Sequence, residues 1–266
     1  MLACAGFLVA AFFLAPYVVM VLDAAKPAAE LRSTPPRLTP AHWQLGNFVE
    51  VLRDDGFQSA LRVSLVVALA STALALLAAI PAAYYTARHR FPGLSAFLFL
   101  VLVTQMFSPT ALVVGLYREF FELGLVNTYT SLILTNAAFN LAFAVWILRA
   151  FFASIPREIE EAAEVDGCGR LGTLIRIVLP LSLPGLVTAV IFAFIAAWNE
   201  YIVALTLMTD PDMKPLTAGI TSYVTAYVQH WNLLFAASII AIVPVVVLFA
   251  LIERYLVGGL TAGSVK

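Results

Sequence analysis

Charge is what this chain has least of. Of its 266 residues only 12% are Asp, Glu, Lys or Arg, against 62% hydrophobic. A soluble domain carries about 25% charged and about 45–50% apolar residues. Such a sequence cannot cover a water-exposed surface of its own size. Cysteine is scarcer still: Cys4 and Cys168 are the two present, which excludes a small secreted fold stapled by disulfides. They lie in different kinds of segment, so no disulfide is expected. The net charge is −1, leaving no basic excess to neutralise nucleic-acid phosphates. The apolar content excludes disorder. The lysines are Lys26, Lys214 and Lys266. None follows a glycine, so no Gly-Lys-Ser/Thr loop cradles a phosphate. His42, His89 and His230 are scattered, which argues against a metal centre.

The charges that exist are bunched, and the gaps between them are long. Uncharged runs cover Leu2–Leu22, Val63–Ala87, Phe91–Tyr117, Leu123–Leu148, Ile177–Asn199 and Trp231–Ile252. Each exceeds the ~20 residues a helix needs to cross a ~30 Å hydrocarbon core. Backbone groups in lipid must pair within the segment, and strand alternation is absent, so the runs predict helices. The fold class is all-α: a polytopic membrane protein of six transmembrane helices, with residues 1–266 as one transmembrane domain. Pro16, Pro81, Pro109 and Pro244 fall inside the runs and predict kinks. The first run is not read as a cleaved signal, because no basic residue starts the chain; a missing basic tail is expected instead.

Six spans put both termini on one side. Lys and Arg are denser in 88–93, 149–176 and the tail from Glu253 than in the alternate segments, so both termini are expected in the cytoplasm. Among the outer segments, Trp43, Phe48, Val51 and Leu52 at helical spacing predict a short helix lying at the membrane interface. Asp210-Pro211-Asp212 and Pro215 predict turns within the last outer segment.

Every span interior is free of Asp, Glu, Lys, Arg and His. A secondary carrier normally keeps ionisable groups there to relay protons or hold ions, and an enzyme needs a carboxylate or histidine pair at one depth. Neither pattern is present, so no catalytic residue is named. Both classes, with a membrane assembly subunit, remain as alternatives. The polar side chains in or beside the spans are Gln105, Asn127, Asn136, Asn140 and Asn199. They suit a path for a neutral, hydroxylated solute, with Gln105, Asn140 and Asn199 as candidates. Hydrogen bonding between helices is the commoner use of such residues. A passage without its own engine implies that another subunit supplies the driving force.

Residues 149–176 break the pattern, being long, inner and charged with both signs, where a connector needs only a few residues. Pro156 suits a first helical turn, and Glu158, Glu160 and Glu161 complement its positive end. Gly167 offers a left-handed stop. A second short helix with Leu171, Leu174, Ile175 and Val178 on one face follows, then Pro180 and Pro184. The carboxylates argue against a helix lying on anionic lipid, and a protein partner is the better fit.

Glu161-Ala162-Ala163-x-x-Asp166-Gly167, followed after nine residues by Ile177-x-Leu179-Pro180, resembles the EAA loop of ABC-importer permeases. The resemblance extends along nearly the whole chain and points to carbohydrate-importer permeases of the maltose-transporter type. Ala82-Ala83-Tyr84 through Arg88 to Phe91-Pro92-Gly93, Gln105-Met106-Phe107, Trp198-Asn199-Glu200 and the closing Gly259 to Lys266 also match. It implies an inner-membrane permease of the type I importer fold that moves a sugar or sugar-like solute and is not itself catalytic. It implies as partners a second homologous permease, two ATPase subunits that use ATP and magnesium, and an outer solute-binding protein; lipid surrounds the chain. Glu161, Ala162, Ala163, Asp166 and Gly167 would form the coupling helix in an ATPase groove. Thr209, Asp210, Pro211 and Asp212 would face the binding protein.

Three positions depart from the family pattern. Cys168 stands where alanine is usual, Ala142 where proline is usual, and Arg62-Val63-Ser64 replaces an asparagine-serine start to the second span. The last two bear on helix entry and pathway lining, and neither touches the coupling motif. The charges of the coupling loop have no obvious partners within the sequence, so Glu161 is expected to meet an arginine of the ATPase.

Overall fold

The computed structural model describes residues 2–227 and 229–261, with side chains over 6–227 and 229–252. The Cys4 side chain and the matching stretch beyond 261 lie outside the described residues. Apart from one isolated bridge between Val224 and Gln229, the regular structure is helical. The chain begins with α1 (Leu2–Ala24), then α2 (Ala28–Leu31) and α3 (Gly46–Arg53), before α4 (Asp55–Arg88), the longest helix. Next come α5 (Leu94–Thr104), α6 (Pro109–Glu122), α7 (Tyr129–Ser154) and α8 (Arg157–Val165). After α9 (Arg170–Thr173), a π turn over Leu174–Val178 and α10 (Leu179–Leu181), the chain enters α11 (Leu183–Trp198). The short α12 (Ile202–Leu207) and α13 (Leu216–Gly219) lead to α14 (Trp231–Thr261).

Four helices, α1, α4, α7 and α14, are long and apolar enough to cross a membrane, and six passages result if each of two bent pairs counts as one. The bent pairs correct the expectation of continuous helices. The run Phe91–Tyr117 is broken between α5 and α6 at 91°. Pro109 does not kink a helix; it is the first residue of α6, where its missing N–H costs nothing. The run Ile177–Asn199 bends by 81° around Ser182. The run Leu123–Leu148 is also shifted: α7 begins only at Tyr129, after a turn with Gly124 at φ 67° and Asn127 at φ 58°, and continues to Ser154. Arg149 therefore belongs to the helix and not to the coupling loop. The helices run on past Pro16, Pro81 and Pro244.

The centre of the bundle is α4, because one of its faces is lined by small residues. Ala60, Ala68, Ala75, Ala79 and Ala83 recur near the helical period and are all buried. Small side chains let helix backbones approach closely, the usual basis of packing in lipid. Packed on that face are α7 and α11. Three apolar clusters lie along its length: one with Trp198, Leu216 and Leu233, one with Val63, Leu132 and Met208, and one with Leu148, Phe152 and Val178. At its start, the Asp54 carboxylate accepts from the amides of Gly56 and Phe57, an N-cap.

The expected short helix is present as α3, with Val49 and Leu52 exposed. Helix α3 buries Val51 completely and packs on α14, while Trp43 precedes the helix and is exposed. Asn47, fully buried in α3, donates to the carbonyls of Ala24 and Lys26 and accepts from Asn232 of α14. Buried amides like this remain only when satisfied, and this one ties the end of α1, α3 and the start of α14 together.

Candidate functional site

The segment expected to couple to an ATPase is helix α8. Pro156 is the residue before its first turn, and Glu158 and Glu160 lie in that turn, against the positive end of the dipole. It ends as a Schellman cap. The Gly167 amide donates to the Glu164 carbonyl at 3.0 Å and the Cys168 amide to the Ala163 carbonyl at 2.9 Å. Gly167 itself is left-handed at φ 86°, a conformation glycine adopts without strain. Ala163 is buried, whereas Glu158, Glu161, Ala162 and Val165 are exposed. Those four fall at i, i+3, i+4 and i+7, a continuous stripe along one side of the helix. Val165 is 87% exposed, and neighbouring Asp166 and Gly167 are exposed as well.

The opposite side of α8 corrects the expectation that the loop's charges lack partners. Glu160 forms an ion pair with Arg88 at the end of α4, and its other oxygen accepts from the Tyr84 hydroxyl at 2.7 Å. Arg157 donates to the Arg88 carbonyl at 2.6 Å. Tyr84 stands edge-on to the buried ring of Phe152 on α7. In the sequence, Arg88 marks the inner side and lies in a stretch that matches the family; the i, i+4 spacing of Tyr84 and Arg88 is the signal that places both on one helix face. Glu161 has no ion pair or side-chain hydrogen bond among the described residues.

The candidate path residues are not brought together. The Gln105 amide donates to the Phe139 carbonyl of α7 at 2.8 Å and pins the break between α5 and α6. Asn140 donates to the carbonyl one turn earlier, at Asn136, and Asn136 does the same toward Leu132. Beside Gln105's break lies a cavity of about 430 Å³ lined by Phe97, Val101, Phe107, Phe139 and Val145. Thr104 there bonds to Val101, so little in this cavity can hold a hydroxylated solute. Asn199 caps α11 elsewhere and lines a separate cleft of about 290 Å³ with Trp198, Thr217 and Ser238.

At the end of α4 away from α8, Thr209, Asp210, Pro211 and Asp212 are exposed. Asn127 holds them there: its carbonyl oxygen accepts from the amides of Thr209 and Asp210, and its amide donates to the Thr209 hydroxyl. Asn127 is thus a turn residue, not a path residue. Glu200, in the matching Trp198-Asn199-Glu200, accepts from the amides of Val203 and Ala204 and so caps α12. Burial pushes its carboxyl above the ordinary value, against the pull of those amides. Tyr223 donates to Asp54, and burial together with that carboxylate raises its hydroxyl. Among the described residues no three His, Cys, Asp or Glu side chains gather as a metal site.

Comparison with known proteins gives the arrangement its family. The family model of binding-protein-dependent transport system inner membrane components matches residues 75–261. The sulfoquinovosyl glycerol transport system permease protein SmoH of Agrobacterium fabrum is 36% identical over 251 residues, 94% of this chain and 88% of that protein. The trehalose/maltose transport system permease protein MalG of Thermococcus litoralis is 36% identical, over 84% of this chain and 81% of that one. A bacterial ABC transporter involved in the import of the acidic polysaccharide alginate superposes with a TM-score of 0.82 at 22% identity, covering 95% of this chain and 94% of that chain. That likeness concerns the fold. By the match across most of its length, the chain belongs to the binding-protein-dependent transport system inner membrane components, the multi-pass permease subunits of ABC importers.

Proposed function

We propose that this subunit forms one half of the pathway of an ATP-driven importer for a sugar or sugar-like solute, with both termini cytoplasmic. The observation that carries the reading is α8. It stands at the inner end with a complete helical stripe, Glu158, Glu161, Ala162 and Val165, turned outward and unpaired by the chain's own ion pairs. The stripe carries two carboxylates beside exposed apolar surface, and such charges suit a partner of complementary charge. It is the seat for an ATPase subunit. Thr209 to Asp212 is the contact for the outer binding protein, and a second, homologous permease completes the pathway. ATP and magnesium belong to the two ATPase subunits, and this chain performs no catalysis. Closure of the ATPase pair would move α8 and tip the bundle between inward-open and outward-open states.

Related permeases are named for sulfoquinovosyl glycerol, diacetylchitobiose and trehalose/maltose. The six uncharged runs of this chain contain no Lys or Arg to hold a phosphate or sulfonate, which favours a neutral sugar. Of the path candidates, Asn199 is the best placed, since its side chain lines a cleft with Thr217 and Ser238, whose hydroxyls donate to the Glu200 and Leu234 carbonyls and keep only acceptor capacity for a solute. Purification through a tag on this chain should bring down an ATPase and a second permease. A thermal-shift screen of the associated binding protein against a sugar panel should then identify the solute. Recovery of this chain alone, with transport by it alone in liposomes, would refute the proposal.

A further inference from the structure

Neither covalent joint of α8 is helical. Before it lies the extended pair Ile155-Pro156, and after it the left-handed Gly167 with Gly169 close behind. A displacement of α8 would be absorbed at these joints unless a non-covalent link carried it to a span. Among the described residues, every ion pair and side-chain hydrogen bond from α8 to a span ends on α4: Glu160 to Arg88, Glu160 to Tyr84, and Arg157 to the Arg88 carbonyl. The two side chains of the ion pair are only 9% and 12% exposed. Charges this far from water are expensive to separate once paired, which makes the link stiff.

What α4 does with such a link follows from its length and packing. Its 34 residues extend about 50 Å and pass all three apolar clusters. At the far end Asp54 caps the helix and accepts from Tyr223, and Ser59 donates to the Asp212 carbonyl in the outer rim. A continuous helix therefore runs from the partners of α8 to the rim that carries Thr209 to Asp212.

We infer that Tyr84, Arg88 and Glu160 form a transmission clamp that locks α8 to α4, so that movement of the coupling helix reaches the outer rim instead of being lost at its flanking joints. Arg88 and Glu160 are positioning residues in this scheme, because neither belongs to the exposed stripe of α8. The inference rests on the reading of α8 as the ATPase seat.

The test uses the assembled importer, reconstituted with its binding protein saturated with the sugar that stabilises it. The readout is the ratio of ATP hydrolysis with the loaded binding protein outside to hydrolysis without it. Arg88→Gln and Glu160→Gln should each lower that ratio about tenfold while the ATPase still co-elutes. Tyr84→Phe should lower it less. The exchanged pair Arg88→Glu with Glu160→Arg should recover the ratio to within about threefold of wild type, the non-additivity expected of a direct pair. The clamp is refuted if either single variant keeps the wild-type ratio, if the exchanged pair is no better than the singles, or if the singles release the ATPase. Failure of the unaltered chain to hold an ATPase would instead remove the underlying reading of α8.

Discussion

Asn127 adopts φ 58° so that one side-chain amide can serve three partners across the outer rim. Asparagine tolerates this conformation better than other non-glycine residues. Asn127→Ala should loosen Thr209 and Asp210, with hydrogen exchange of their amides about tenfold faster, equivalent to ~1.4 kcal/mol of local stability. Unchanged exchange would mean that the rim is held by something else. Glu200 gives a pH dependence whose sign can be worked out. Its folded-state carboxyl is raised by burial, so the folded protein holds the proton more tightly than the unfolded chain. Stability is then full below the ordinary carboxylate range and falls as pH rises through the raised value. Thermal unfolding in detergent across about pH 4 to pH 7 should show this decline, and Glu200→Gln should flatten it. A wild-type chain that gains stability over that window because of Glu200 would contradict the assignment.

At the scale of elements, close approach decides what can be changed. A Cβ added at Gly185 of α11 would lie 2.3 Å from the Phe151 ring of α7, a contact neither helix can relieve by rotating a flexible side-chain end. Gly185→Ala should destabilise the fold by about 1–3 kcal/mol, the usual range for overpacking. Phe151→Ala in the same chain should recover part of that loss in a melting experiment. Additive losses from the two changes would rule out the contact.

The elements were legible in the sequence to different degrees, and the reasons are physical. The helices α1, α4 and α14 follow directly from long uncharged runs, because lipid permits little else. The breaks at Ser108 and Ser182 were not legible, since a hydrophobic run reports only burial and not direction; Pro109 and Pro184, each next to a break, were the local signal. The cap of α8 was read from Gly167 alone, because a left-handed stop is a local requirement. The partner of Glu160 was not, because Arg88 lies 72 positions earlier and only the folded bundle brings the two together. Gln105 and Asn140 show the same limit: a polar residue in an apolar run is visible, but whether it faces a solute or a backbone carbonyl is set by packing.

For the whole molecule, the lack of Asp, Glu, Lys, Arg and His within the six uncharged runs sets the energetics. Uptake into vesicles should continue when an ionophore collapses proton and sodium gradients and should stop when internal ATP is removed. The reverse pattern would favour a secondary carrier. The most direct test of the central claim, that α8 is the seat through which ATP hydrolysis drives this subunit, compares Glu161→Ala, Gly167→Val and Cys168→Ala. ATPase co-elution in detergent and transport in proteoliposomes are measured together. Glu161→Ala removes one member of the expected interfacial ion pair, at a cost of about 2–5 kcal/mol. Gly167→Val forces a β-branched residue to φ 86° and costs more than the ~1 kcal/mol expected for alanine. Both should leave the bundle folded while weakening ATPase retention and transport; Cys168→Ala should be nearly silent. Full transport and a stable complex in both Glu161→Ala and Gly167→Val would show that α8 is not the coupling site.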